Sequence, residues 1–159
     1  PKEVNISVLG NEEVEVSATE MPVRGEGLLS FEDKYVRAAG KTSGMASAKR
    51  LIPAPVSREI IKKVEDWAVK FFEAIGGRGI ARVDFMMDKK GELYFNEINT
   101  MPGSLAFYLW KEKGISFKDL MRKLIRLAEE EWTKKQSLVT TFESNILSSF
   151  ARGGSKGKA

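Results

Sequence analysis

The sequence predicts an α+β fold in which an antiparallel sheet is flanked by helices. Three observations carry this. Residues 4–10 and 14–23 alternate apolar and polar side chains, with a polar turn between them. Two later stretches repeat apolar residues at helical spacing. Between them, residues 79–98 form two more short apolar segments, joined by a polar turn containing glycine.

The first strand, VNISVLG, puts Val4, Ile6 and Val8 on one face. Residues 10–13 turn the chain into the second strand, giving a hairpin. From Arg24 to Arg50 periodicity is lost, and glycine, serine, lysine and small residues dominate. A loop this long in a compact domain is either functional or partly disordered. Leu51-Ile52-Pro53-Ala54-Pro55 is extended, because residues before proline avoid the α region. Ser57 caps a helix in which Ile60, Ile61, Val64, Trp67, Ala68, Phe71, Phe72 and Ile75 recur, and Gly76-Gly77 ends it. After the second hairpin, residues 105–113 form a short helix stopped by Gly114. Ser116 and Asp119 open a long amphipathic helix, with Phe117, Leu120, Met121, Leu124, Ala128 and Trp132 facing inward. Beyond Gln136 the pattern weakens. Residues 137–159 read as a partly disordered extension and tail, with the segment 142–150 as an apolar anchor.

At 159 residues, 42% hydrophobic and 30% charged, the chain can bury one real core. It has no cysteine and no histidine, so thiolate and imidazole chemistry are excluded. Any metal must be held by oxygen, which favours Mg²⁺, Mn²⁺ or Ca²⁺ over zinc. The net charge of +4 comes partly from the Gly- and Ser-containing tail, which reads as solvated rather than as a nucleic-acid surface. No apolar run is long enough to span a bilayer and no signal peptide is seen, so a cytoplasmic protein with no membrane partner is expected. The start at Pro1, directly before a strand, reads as a fragment of a longer product.

The chemistry concentrates in GIARVDFMMDKKGELYFNEINTMPG, residues 79–103. Asp84 interrupts one apolar segment and Glu97 the other, with Asn99 two residues on. Alternation puts Arg82, Asp84 and Met86 on one side of the first strand, and Phe95, Glu97 and Asn99 on one side of the second. A four-residue loop 88–91 places Met87 opposite Glu92 and Asp84 opposite Phe95, so that Glu97 is the diagonal neighbour of Asp84. A slip of one residue would separate the acids. If they meet, a divalent cation neutralises them, and Arg82 beside them suggests an anionic group such as phosphate. The residues alone leave a second reading open, in which both acids lie on a solvated sheet face and Arg82 simply pairs with Asp84.

ARVDF followed by a turn and NEINTMPG resembles the metal-binding end of the ATP-grasp ligases. Over a longer span, EVNISVLGN, FEDKY, LIPAPVS, GIARVDFMMD, GELYFNEINTMPG and GISFKDLMRKLI resemble the D-alanine–D-alanine ligases in order and spacing. The resemblance covers roughly residues 3–127. It implies the C-terminal half of an ATP-grasp domain over residues 1–136, with 24–50 as the mobile active-site loop. The activity implied is an ATP-dependent carboxylate–amine ligation that joins two D-alanines through an acyl phosphate, for peptidoglycan. Asp84 would hold one Mg²⁺ (or Mn²⁺), Glu97 would bridge two, and Asn99 would complete the second site. Arg82 would contact the transferred phosphate, and the Gly103 N–H would serve the oxyanion. Lys34 would touch the γ-phosphate and Tyr35 would lock the loop. Glu3 would accept hydrogen bonds from the ATP ribose.

Two departures stand out. The family serine that binds the second substrate's carboxylate falls near Tyr108, beside Leu109, so these two are the expected substrate contacts and D-lactate or D-serine is an alternative second substrate. The family's N-terminal substrate domain and glycine-rich nucleotide loop have no counterpart here, so this chain is expected to be inactive alone and to need the missing domains. The full-length protein is expected to be a homodimer. The competing readings are another ATP-grasp ligase, or a non-catalytic module in which Asp84 and Glu97 form a structural Ca²⁺ site or plain surface charge.

Overall fold

A computed structural model describes residues 1–23 and 50–138. The strands are β1 (Lys2–Gly10), β2 (Val14–Pro22), β3 (Arg50–Leu51), β4 (Gly79–Met87) and β5 (Leu93–Asn99). They form one sheet in the order β3-β2-β1-β4-β5, with every neighbouring pair antiparallel. The helices are α1 (Arg58–Ala74), α2 (Phe107–Lys111) and α3 (Phe117–Gln136). The expected α+β class and antiparallel sheet are therefore present. Arg50, expected to close the long loop, instead opens the short edge strand β3, opposite Pro22. The rest of that loop, with Lys34 and Tyr35, lies outside the described residues, as do residues 139–159. No helix among the described residues is long and apolar enough to cross a membrane.

The two sheet faces differ because strand side chains alternate. Val4, Ile6 and Val8 pair with Phe85, Val83 and Ala81 on one face. Val64, Ala68 and Phe72 of α1 pack there, completing the main buried core. Burying each of the large side chains contributes about 1.5–3 kcal/mol. Ser57 starts α1 by accepting the Ile60 N–H, and the helix ends where Gly76 takes φ +64°. Gly77 passes so close to Phe72 that a Cβ there would lie 2.5 Å from its ring.

The other face is divided. At one end Leu9 and Ile80 pack on Trp110 and Leu120 from the C-terminal helices. Ser7 marks the border: Trp110 Nε1 donates to its hydroxyl over 3.1 Å, and that hydroxyl donates to the Ala81 carbonyl over 2.9 Å. Beyond Ser7 the face is polar.

The inward stripe of α3 is Leu120, Leu124 and Leu127, with Met121 at its edge. Phe117 and Trp132, expected inside, are 54% and 66% exposed, and Ala128 is exposed too. Geometry explains Trp132: twelve residues at 3.6 per turn carry it about 120° around the helix from Leu120. Ser116 caps α3 as expected, accepting the Asp119 N–H over 3.1 Å.

Candidate active site

Four polar side chains stand abreast across the sheet. Asn5 of β1 pairs with Glu20 of β2 on one side and Asp84 of β4 on the other, and Asp84 pairs with Glu97 of β5. In the next row Arg82 lies between Ser7 and Asn99. Asn5, Glu20 and Asp84 are only 2–3% exposed, while Glu97 is open to solvent. Buried charges of this kind are costly unless paired and hydrogen-bonded, so their partners define what the site is built for.

The register of the β4–β5 hairpin differs from the expected one. The loop has five residues, because Asp88 accepts the N–H groups of Lys90 and Glu92 and its own N–H bonds the Glu92 carbonyl. Met87 therefore faces Leu93, and Phe85 faces Phe95. Continued regularly, this register would put Glu97 on the core face. A bulge between Phe95 and Glu97 adds one residue, Asn96, and restores Glu97 to a place directly opposite Asp84. Phe95 and Glu97, expected on one face, thus lie on opposite faces. The driving force is visible in the packing: Phe95 stacks 4.4 Å from Phe71 on the helix side and lies edge-on to Phe85.

Arg82 grips Asp84 with both prongs of its guanidinium. Nε donates to Oδ1 and Nη2 to Oδ2, each over 2.7 Å. The hydrogen bond to Asp84 raises the Arg82 pKa further. Burial pushes the Asp84 carboxyl up, and Arg82 pulls it the other way. Two short parallel bonds mark the pair as ionised. Asn99 Nδ2 donates to Glu97 Oε1 over 3.2 Å and to Asp84 Oδ2 over 3.4 Å. Asp84, Glu97 and Asn99 thus converge, as expected, with Arg82 beside them.

A second set of contacts was not foreseen. Asn5 Nδ2 donates to Glu3 Oε1 over 3.0 Å and to Glu20 Oε1 over 3.3 Å. Tyr108 donates its hydroxyl to the same Glu20 oxygen over 2.9 Å. Arg50 lies 3.5 Å from Glu20 and stacks 4.2 Å above the Tyr108 ring. Burial, reinforced by Glu20, pushes the Tyr108 phenol up to about 12. The Asn5 side-chain oxygen, Oδ1, is buried and has no hydrogen-bond partner among the described residues. The sequence carried a signal for this cluster: Glu3, Asn5 and Ser7 alternate with Val4, Ile6 and Val8, so β1 carries three successive polar side chains on one face before Leu9. Leu109, expected to touch substrate, is fully buried.

Gly103 opens the turn that follows β5 and is exposed. Ser104, Leu105 and Ala106 after it all take positive φ, at 55°, 52° and 48°. Left-handed residues with a Cβ are strained, and strain of this kind collects at functional turns.

The donor set fits a hard divalent cation. Two carboxylates lie together with an amide that turns Nδ2 to both, and their oxygens, with the Asn99 oxygen once the amide turns over, suit Mg²⁺ or Mn²⁺. Among the described residues no cluster of three or more carboxylates offers a competing site.

The family model described as "D-ala D-ala ligase C-terminus" matches residues 1–126. A D-alanine–D-alanine ligase of Bacillus pumilus is 37% identical over 145 residues, covering 89% of this chain and 38% of that protein. The VanG D-Ala:D-Ser ligase of Enterococcus faecalis superposes with a TM-score of 0.61 at 30% identity, over 79% of this chain and 36% of that one. The D-alanine–D-alanine ligase of Bacillus anthracis, solved with ATP, superposes with a TM-score of 0.64 at 17% identity, over 84% and 40%. That last likeness speaks for the fold. The chain spans well under half the length of the relatives it matches.

Proposed function

This chain belongs to the D-alanine–D-alanine ligase family, matching its C-terminal part, and we propose that it forms the metal- and phosphate-handling wall of an ATP-dependent carboxylate–amine ligase. The observation that carries this reading is the convergence of Asp84, Glu97, Asn99 and Arg82 on one sheet face.

In the proposed reaction a carboxylate oxygen of one D-alanine attacks the γ-phosphorus of ATP and ADP leaves. The amine of a second D-alanine then attacks the acyl carbon and phosphate leaves, giving the dipeptide used in peptidoglycan. Bound Mg²⁺ would neutralise the phosphate oxygens during transfer. Asp84 would hold one ion, Glu97 would bridge two, and Asn99 would complete the second. Arg82 would supply positive charge to the transferred phosphate. The Gly103 N–H offers a preorganised dipole to the developing oxyanion. Glu3 accepts the ribose hydroxyls, and its bond from Asn5 fixes the carboxylate's orientation. Lys34 and Tyr35 belong to the same proposal, as the phosphate contact and latch of a loop that excludes water. The opposite wall of the nucleotide site comes from sequence outside these 159 residues.

Tyr108 supports an alternative in the second substrate. Its hydroxyl is committed to Glu20, where the family uses a small serine, so D-lactate or D-serine competes with D-alanine for this position.

The test is a hybrid in which this chain replaces the C-terminal part of a relative. ATP-dependent joining of D-alanine is expected, and Asp84→Asn and Glu97→Gln should abolish it while ADP formation falls with it. A hybrid that folds and binds ATP but whose activity survives both substitutions would contradict the reading.

A further inference from the structure

Arg82 and a metal ion need the same carboxylate. Both Asp84 oxygens are already engaged by the guanidinium fork, at 2.7 Å each. The side chains of Arg82 and Asp84 are 14% and 3% exposed, so the pair is largely out of water. A dication joining Asp84 would sit beside that guanidinium, where like charges repel several-fold more strongly than in bulk water.

Asn99 makes the same point with its amide. It presents Nδ2, a donor, to Asp84 Oδ2 and Glu97 Oε1. A cation can take only the oxygen, so the amide must turn over before Asn99 becomes a ligand. The turn costs two weak bonds, at 3.4 and 3.2 Å.

We propose that the site is an exchange switch in which cation entry at Asp84 and Glu97 displaces Arg82 from Asp84 and turns over the Asn99 amide. The displaced guanidinium then has its donors facing outward, and it becomes the anion contact. Before the exchange Arg82 spends its charge on Asp84; after it, that charge is available to a phosphate group. Cation loading and phosphate binding are thereby coupled through one side chain, and the arginine cannot hold phosphate productively until the cation is in place. The Glu20 carboxylate lies close enough to act on Arg82 electrostatically, so the released side chain stays in a field that favours its charge. This inference rests on the reading of Asp84, Glu97 and Asn99 as cation ligands.

The experiment is a Mg²⁺ titration of the ¹⁵N-labelled 159-residue chain by NMR, following the Arg82 Nε–H and the Asn99 side-chain amide. Without Mg²⁺ the Arg82 Nε–H should be protected from solvent exchange. Its protection should be lost, and the Asn99 amide signals should move, at one Mg²⁺ midpoint. Inorganic phosphate should then shift the Arg82 signal only in the Mg²⁺-loaded chain. In Glu97→Gln, which keeps the Arg82–Asp84 pair, Mg²⁺ should leave the Arg82 signal unmoved. If Mg²⁺ shifts the backbone signals of Glu97 and Asn99 while Arg82 stays protected, or if phosphate shifts Arg82 equally without Mg²⁺, the exchange is overturned and the cation reading stands. If Mg²⁺ shifts nothing in the site, the cation reading fails and the exchange falls with it.

Discussion

Asp84 stands directly opposite Glu97 across the β4–β5 ladder, at the point where that ladder is bulged. Two carboxylates held face to face repel unless a positive charge lies between or beside them. Arg82 supplies that charge to Asp84, and Glu97, open to solvent, is left to share a partner from outside.

Replacing Asp84 by Asn should therefore cost stability as well as function. It leaves the guanidinium of Arg82 in a largely dry site without its counter-charge, which costs roughly 3 kcal/mol or more. Urea unfolding measures it. Glu97→Gln, at an exposed position, should change stability by less than about 0.5 kcal/mol.

The bulge makes a sharper prediction. Deleting Asn96 would let Phe95 keep Phe85 and Glu97 keep Asp84 in a continuous ladder. The variant should fold and retain its Mg²⁺ response. Loss of the Asp84–Glu97 pairing, read from cross-strand nuclear Overhauser effects, would show that the bulge does more than set register.

Ser104 lies exposed at φ 55°. Glycine adopts that conformation without the Cβ clash that strains serine. Ser104→Gly should raise stability by about 0.5–1 kcal/mol, partly offset by the greater freedom of unfolded glycine. A thermal melt of the variant checks it.

Tyr108 gives the chain an alkaline limit. Its phenol ionises near pH 12 when folded, against 10.0 ordinarily. A group whose folded pKa is raised contributes fully below the unfolded value and loses that contribution as pH rises through the folded one. Stability should thus fall between pH 10 and 12. Tyr108→Phe should remove that part of the pH dependence, measured as unfolding free energy against pH.

Incubated with ATP, Mg²⁺ and D-alanine, this chain alone should form no dipeptide. On the proposed reading, the one wall described would bind metal but would not by itself enclose a nucleotide and an acyl phosphate against water. Dipeptide detected by mass spectrometry would show that the remaining wall is dispensable.

Much of this architecture was legible in the residues. Period-two alternation located β1 and β2, and Ser57 and Ser116 marked the starts of α1 and α3, because these signals are local. The convergence of Asp84, Glu97, Asn99 and Arg82 was legible as chemistry, but its register was not. Register depended on the Asp88 side chain closing a five-residue loop and on Phe95 packing on Phe71 of α1, and the second of these is a tertiary contact. The Glu20–Tyr108 bond joins residues 88 positions apart, beyond any spacing rule. Trp132 was misplaced because the inward stripe drifts around a long helix, and twelve residues on from Leu120 the same spacing no longer lies on the buried face.

The most direct measurement is Mn²⁺ binding to the 159-residue chain, followed by the loss of the free-ion electron paramagnetic resonance signal. Saturable binding is predicted for the unaltered chain, and its loss in the Asp84→Asn, Glu97→Gln double variant that still shows the native circular dichroism spectrum. Undiminished saturable binding in that folded double variant would place the metal elsewhere and contradict the account.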